Sequence, residues 1–143
     1  MTKKIRNALE GREMFTFSIA TALLLLITAL LLAPPDELLR GMLTIVLTRD
    51  ALVTDYFELA GFGSAFFNAG LVLSLAILLI HRQKIPFTGL TMAVLFINAG
   101  FALFGKNPVN VLPMLFGTWL YARFHGASMS RYIYTALFGS CLA

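Results

Sequence analysis

After Glu58 the chain carries no carboxylate side chain. All seven acids (Glu10, Glu13, Asp36, Glu37, Asp50, Asp55 and Glu58) precede that point. Residues 59–143 therefore hold no carboxylate pair for acid–base chemistry and no Asp or Glu for a buried proton relay. Cysteine is equally scarce. Cys141 stands alone, which excludes an internal disulfide framework and a multi-cysteine zinc site. Charge of either sign is sparse, 13% of residues, where a soluble domain has about 25%. The net charge of +4 comes from bases scattered between apolar runs, so it is no nucleic-acid footprint. No set of ligands for a metal and no binding motif for a cofactor is visible, and no catalytic pair argues for an enzyme.

What remains is apolar. Of the 143 residues, 59% are hydrophobic, and the mean hydropathy is +0.83. The charged residues and histidines cut the chain into uncharged runs of 22 residues (14–35), 22 (59–80), 21 (85–105), 16 (107–122) and 12 (132–143). A spanning helix needs about 20 apolar residues. The pattern predicts an all-α polytopic membrane protein. Four transmembrane helices are expected at about 14–33, 59–80, 86–104 and 108–122, with a truncated fifth at 131–143. The fifth run gives only about 20 Å of helix against a bilayer core of about 30 Å. The chain thus reads as the N-terminal portion of a longer protein, with a missing C-terminal half or other membrane helices as partners and self-association as the further option.

The first run is read as a retained helix. Its apolar stretch exceeds the 7–15 residues usual in a signal peptide, and Ala33-Pro34-Pro35 is a poor cleavage context. With four crossings and a cytoplasmic N-terminus, eight bases lie inside (Lys3, Lys4, Arg6, Arg12, Arg82, Lys84, Arg123, Arg131) and three outside (Arg40, Arg49, Lys106). That split satisfies the positive-inside rule and predicts a multi-pass protein of the cell membrane. If 107–122 re-entered without crossing, the split would be six to five.

Residues 1–13 are a basic lead expected at the inner surface. Pro34-Pro35 stops the first span, and Asp36 and Glu37 favour a new helix start. Within 36–58 the spacing of Leu38, Leu39, Met42, Leu43 and Val46 predicts an amphipathic helix. Thr48-Arg49-Asp50 suggests a break and recap before a second short piece to Phe57. The ordinary reading of this outer segment is a surface linker; the sharper one is a lid over a pathway. In the second span Gly61, Ala65 and Ala69 sit four apart, a ridge on which another helix can pack closely.

Two features carry potential chemistry. The pattern Phe-x-Asn-Ala-Gly occurs at 66–70 and again at 96–100. Counted along antiparallel spans, Asn68 and Asn98 fall at similar depth, roughly 9–12 Å below the outer boundary. Such carboxamides serve either as interhelical glue or as the lining of a pathway. The second feature is Gly105-Lys106-Asn107-Pro108-Val109-Asn110, with Pro113 following. Asn107 is a good N-cap and Pro108 suits the first helical position. The helix start and the lysine charge would together attract an anion. The plainer reading is a capped turn with an interfacial lysine. Asn-Pro at a helix start is loosely analogous to the paired half-helices of aquaporin-like channels. Cys141 has no visible base partner. His81 and His125 sit at inner helix ends, where capping or headgroup contact is the usual use.

Several of these runs together resemble a bacterial family of polytopic membrane proteins known only as a domain of unknown function. They are Asp55-Tyr56-Phe57-Glu58, Gly61 to Gly70, Asn98-Ala99-Gly100-Phe101, Phe104-Gly105-Lys106-Asn107, Leu112-Pro113 with Gly117, Arg131-Tyr132-Ile133-Tyr134 and Leu137-Phe138-Gly139. The resemblance spans nearly the whole chain after the first helix. It implies a longer protein with further spans, and it supplies no activity. The function expected is therefore transport or conduction of a small polar or anionic solute, with Asn68, Asn98, Lys106, Asn107 and Asn110 as the polar lining. The alternative is a structural membrane subunit that packs other helices through Gly61, Ala65 and Ala69. The lipid bilayer is the expected partner in either case, and nucleic acid is not.

Overall fold

The computed structural model describes residues 3–49 and 53–142. Met1, Thr2, Asp50, Ala51, Leu52 and Ala143 lie outside the described residues, as do the side chains of residues 3–8, with Lys3, Lys4 and Arg6 of the basic lead among them, and of Leu142. Among the described residues the regular structure is entirely helical: α1 (Lys3–Leu32), α2 (Pro35–Leu47), α3 (Tyr56–Arg82), α4 (Gly89–Phe101), α5 (Pro108–Phe124) and α6 (Ile133–Gly139). Short 3-10 turns, Met129–Arg131 and Ser140–Leu142, flank α6. The portions Leu9–Leu32 of α1 and Tyr56–Arg82 of α3 are long and apolar enough to cross a bilayer; α4 is apolar but shorter.

The boundaries follow from local chemistry. The expected start after the double proline is found: Pro34 caps α2, Pro35 opens it, and Asp36 and Glu37 occupy its first turn. The expected second short piece falls partly on residues 50–52, outside the described residues; of the rest, 53–55 are not helical and Tyr56 and Phe57 belong to α3. Thr48 ends α2, and the new start comes at Asp55, whose side chain accepts from the backbone N–H of Phe57 (2.9 Å) and Glu58 (3.3 Å). The basic lead is likewise no separate element, because α1 runs unbroken from Lys3 through residue 13 to Leu32. The run 85–105 yields only the 13-residue α4. Thr88 caps its start by accepting from the Thr91 N–H, and tight turns follow from Ala102 to Gly105. At about 20 Å, α4 is shorter than the span expected there.

α3 is the central post. α1 runs antiparallel along it, with Leu26 against Gly70 and Ala29 and Ala33 against Gly63. A Cβ at Gly70 would lie 2.7 Å from a Leu26 methyl, so glycine sets this approach. α2 packs on the early turns of α3, where its Leu38 meets Gly63 beside Ala33 of α1, and it buries Leu38, Gly41 and Ile45. A side chain at Gly41 would collide with the Ser64 hydroxyl. The apolar stripe expected on α2 is split: Leu38 points in, Met42 and Val46 are half-buried, and Leu39 and Leu43 face out.

α4 rises from the far end of α3, turns at 102–107 and returns as α5. α6 then rises beside α4: Tyr134 Oη lies 2.8 Å from Thr91 Oγ1, and Ser140 reaches the level of Asn98 through Lys106. The core shared by α3, α4, α5 and α6 includes Leu73, Ile80, Val94, Leu95, Ile133 and Leu137, all fully buried.

Candidate functional site

The hairpin turn between α4 and α5 gathers the polar residues singled out from sequence. Five backbone units, 102–106, separate the helical parts of α4 and the N-cap of α5, and their polar groups need partners away from water. Asn68, on α3, is fully buried and supplies two of these bonds. Its Nδ2 donates to the carbonyls of Ala102 (2.6 Å) and Lys106 (2.8 Å). Its Oδ1 is buried and has no hydrogen-bond partner. Asn107 and Asn110 close the start of α5 as a capping box. Asn107 Oδ1 accepts from the N–H groups of Val109 and Asn110, each at 2.9 Å, and Asn110 Oδ1 accepts from the Asn107 N–H at 2.9 Å. Asn110 Nδ2 also donates to the Gly105 carbonyl at 2.8 Å.

Lys106 turns inward from the hairpin tip and is only 2% exposed. Its ammonium donates to Asn98 Oδ1, to Ser140 Oγ at 2.6 Å and to Cys141 Sγ at 3.6 Å. Those three acceptors match the three N–H donors of the ammonium. Asn98, itself fully buried, uses its Nδ2 on the Val94 carbonyl one turn back, at 2.7 Å. Ser140 Oγ donates in turn to the Leu137 carbonyl at 2.8 Å. No carboxylate pairs with Lys106 among the described residues, so the buried positive charge meets only neutral dipoles and a thiol. Val72, Leu75, Ala76, Leu79, Val111 and Leu137 surround the group. The void left there is about 10 Å³, no larger than one water molecule requires.

All five of the polar residues expected to act together, Asn68, Asn98, Lys106, Asn107 and Asn110, thus converge on one turn. Asn68 and Asn98 meet through the Lys106 turn and share no direct hydrogen bond. The start of α5, expected to offer free N–H groups to an anion, has the N–H groups of Asn107, Val109 and Asn110 taken up by the capping box. Ser140 and Cys141 were not expected to join. Cys141, which looked isolated in sequence, lies against the lysine; the one hint was that Ser140 and Cys141 are adjacent polar residues in an otherwise apolar stretch.

The expected small-residue ridge divides. Ala65 and Ala69 are buried, Ala65 with Ile45 and Tyr56 and Ala69 with Val72 and Ala102. Gly61 packs against nothing: its φ is +78°, it is exposed, and a Cβ there would meet no atom within 4 Å. Its role is a kink near the start of α3, in a conformation that glycine adopts without penalty. The close approaches are made instead by Gly63 and Gly70, to α1, and by Ser64, to α2. The segment before the kink lies over the hairpin tip. The N–H groups of Thr54 and Tyr56 donate to the carbonyls of Phe104 (3.0 Å) and Leu103 (3.4 Å), and Tyr56 Oη lies 3.5 Å from Asn107 Nδ2.

A family model described as Protein of unknown function (DUF1576) matches residues 34–143, and the chain belongs to that family. The match begins where α1 ends and takes in every residue of the Lys106 cluster. No curated protein and no solved structure matches the chain.

Proposed function

We propose that this member of the family is a multi-pass membrane protein that moves a small anionic solute, with Lys106 as the charge the solute meets. The membrane topology is the one the base distribution favours: α1, α3, α4 and α5 crossing in turn from a cytoplasmic N-terminus, with α6 beginning a fifth crossing. α4 and α5 are short for this task, at about 20 and 25 Å. They form a hairpin whose tip sits beside Asn68, about two turns into α3 from the Gly61 kink.

The observation that carries the reading is the buried Lys106 ammonium, which has no carboxylate partner among the described residues. Taking a cation out of water is costly, and neutral acceptors repay only part of that cost. An apolar side chain at 106 would fill the same space without the penalty. Ionisable groups kept at such depth mark ion or substrate routes more often than scaffolding. A solute anion would replace Ser140 and Cys141 as the ammonium's partner, which requires α6 to move away from the turn.

A second reading has its own support. Every donor of Lys106 is already satisfied and the void beside it is about 10 Å³. A closed polar knot of that kind also suits a structural subunit whose lysine locks α6 to the α4–α5 hairpin. The two readings separate on one experiment. The full-length protein is reconstituted in liposomes, and swelling is followed in potassium salts of chloride, formate and phosphate with valinomycin present. Transport predicts anion-dependent swelling that Lys106→Met abolishes and Lys106→Arg retains in part, with both variants folded. If no anion gives flux and Lys106→Met lowers the melting temperature, the lysine is a structural lock and the transport reading is overturned.

A further inference from the structure

At the end of the bundle opposite the Lys106 turn, the geometry points to a binding site for the headgroup of an anionic phospholipid. An open cleft of about 700 Å³ lies between the early part of α1, the end of α3 and the segment leading into α4. Its apolar wall is built from Phe15, Pro86 and Phe87, and its rim from His81, Arg82 and Lys84. Phe15 is held on two sides: the His81 ring stacks on it with centroids 5.2 Å apart, and the Phe87 ring meets it edge-on at 4.9 Å. Among the described residues no carboxylate lines the cleft. Glu13 lies along the other flank of α1, with Arg12, Thr16 and Phe17.

Lys84 gives the independent indication. It is the one residue other than glycine with a positive φ among the described residues, at +55°. The backbone explains why a left-handed residue is needed. The Ile85 N–H reaches back to the Ile80 carbonyl (3.2 Å) and the Lys84 N–H to the His81 carbonyl (3.0 Å), a helix-ending turn in which glycine is the usual occupant. A lysine there accepts a conformation that its Cβ disfavours. Its side chain is exposed, beside that of Arg82, at the mouth of the cleft. Glycine would meet the demand of this turn at lower cost, so what the position gains from lysine is the charged side chain.

The combination selects the ligand class. Two exposed cations at the rim of an aromatic-walled cleft suit a phosphodiester attached to an apolar body. A free inorganic anion would gain nothing from the Phe15, Pro86 and Phe87 wall. Basic pockets between helices at the cytoplasmic side are the ordinary receptors for such headgroups. The site rests on the membrane reading above and is independent of whether Lys106 serves transport.

The test uses the full-length protein. Carbonate extraction of membranes from expressing cells comes first; release into the supernatant would overturn the membrane reading itself. Detergent-purified protein is then offered phosphatidylglycerol or phosphatidylcholine of matched acyl chains, and retained lipid is counted by native mass spectrometry. Phosphatidylglycerol is expected to be preferred, and Arg82→Gln or Lys84→Gln should each reduce the preference about fivefold. Lys84→Gly is the sharper variant. It should lose the preference to the same extent while raising the melting temperature, because the turn is relieved. Equal retention of the two lipids by membrane-embedded wild-type protein, an unchanged preference in Lys84→Gly, or displacement of the lipid by excess inorganic phosphate would each overturn the lipid site.

Discussion

Residues 66–70 and 96–100 spell the same pattern, Phe-x-Asn-Ala-Gly, and the fold uses them differently. Both asparagines are fully buried. Asn68 reaches off its helix to two carbonyls of the hairpin turn and leaves its own oxygen unpaired. Asn98 spends its amide N–H on its own helix and offers its oxygen to the Lys106 ammonium. The glycines part company as well. Gly70 faces Leu26 of α1 at close range, whereas a side chain at Gly100 would meet nothing within 4 Å. An echo in sequence therefore fixes residue type and burial of the asparagine, and the neighbouring element decides what each copy does.

The largest effect is expected at the asparagines. Asn68→Ala removes both hydrogen bonds to the turn and leaves two buried carbonyls short of a partner, a cost of about 2–4 kcal/mol. Asn98→Ala removes one charge-assisted bond, leaves Lys106 with Ser140 and Cys141, and should cost somewhat less, about 1.5–3 kcal/mol. Thermal unfolding of the purified variants in detergent ranks them. A larger loss at Asn98 would mean that the lysine, and not the broken backbone, dominates the energetics of the turn.

The next effect concerns Gly70. A methyl group there would sit 2.7 Å from the Leu26 Cδ2 and 3.3 Å from its backbone N–H nitrogen. The side chain can shift; the backbone of α1 cannot without opening the α1–α3 contact. Gly70→Ala should therefore destabilise by about 1–3 kcal/mol, as overpacking does elsewhere. An unchanged melting temperature would show that α1 is held less tightly than the packing of Leu26, Ala29 and Ala33 on α3 implies.

Much of this architecture was legible in the residues. The proline stop, the Asn107 cap and the gathering of Asn68 and Asn98 about the Lys106 turn follow from local rules and from counting along antiparallel helices. Other features were not. Gly61 looked like one member of a ridge because spacing alone cannot tell a packing glycine from one with a positive φ. The shortness of α4 depends on turns at 102–105 whose carbonyls find donors elsewhere: Ala102 from Asn68, 34 residues away, Leu103 and Phe104 from the N–H groups of Tyr56 and Thr54, and Gly105 from Asn110. Ser140 and Cys141 join Lys106 only because α6 rises beside α4, a placement that no local pattern encodes. The recap at Asp55 was readable, since an Asp followed three residues later by Glu58 is a helix-start signature. It was masked by the nearer Thr48-Arg49-Asp50.

The smallest effect completes the contrast, and its sign is the reverse. Gly100 lies near the end of α4 with ordinary helical geometry and an exposed face. Nothing stands within 4 Å of where its Cβ would be. Alanine in place of glycine within a helix is favourable by about 0.5–1 kcal/mol when no clash intervenes. Gly100→Ala should therefore raise the melting temperature slightly, while Gly70→Ala lowers it. The same substitution at the same position of the same five-residue pattern would then differ in sign, which composition and local sequence cannot produce. A drop at Gly100 would place an unseen partner against that face of α4, and the natural candidate would be another membrane helix packed where glycine leaves room.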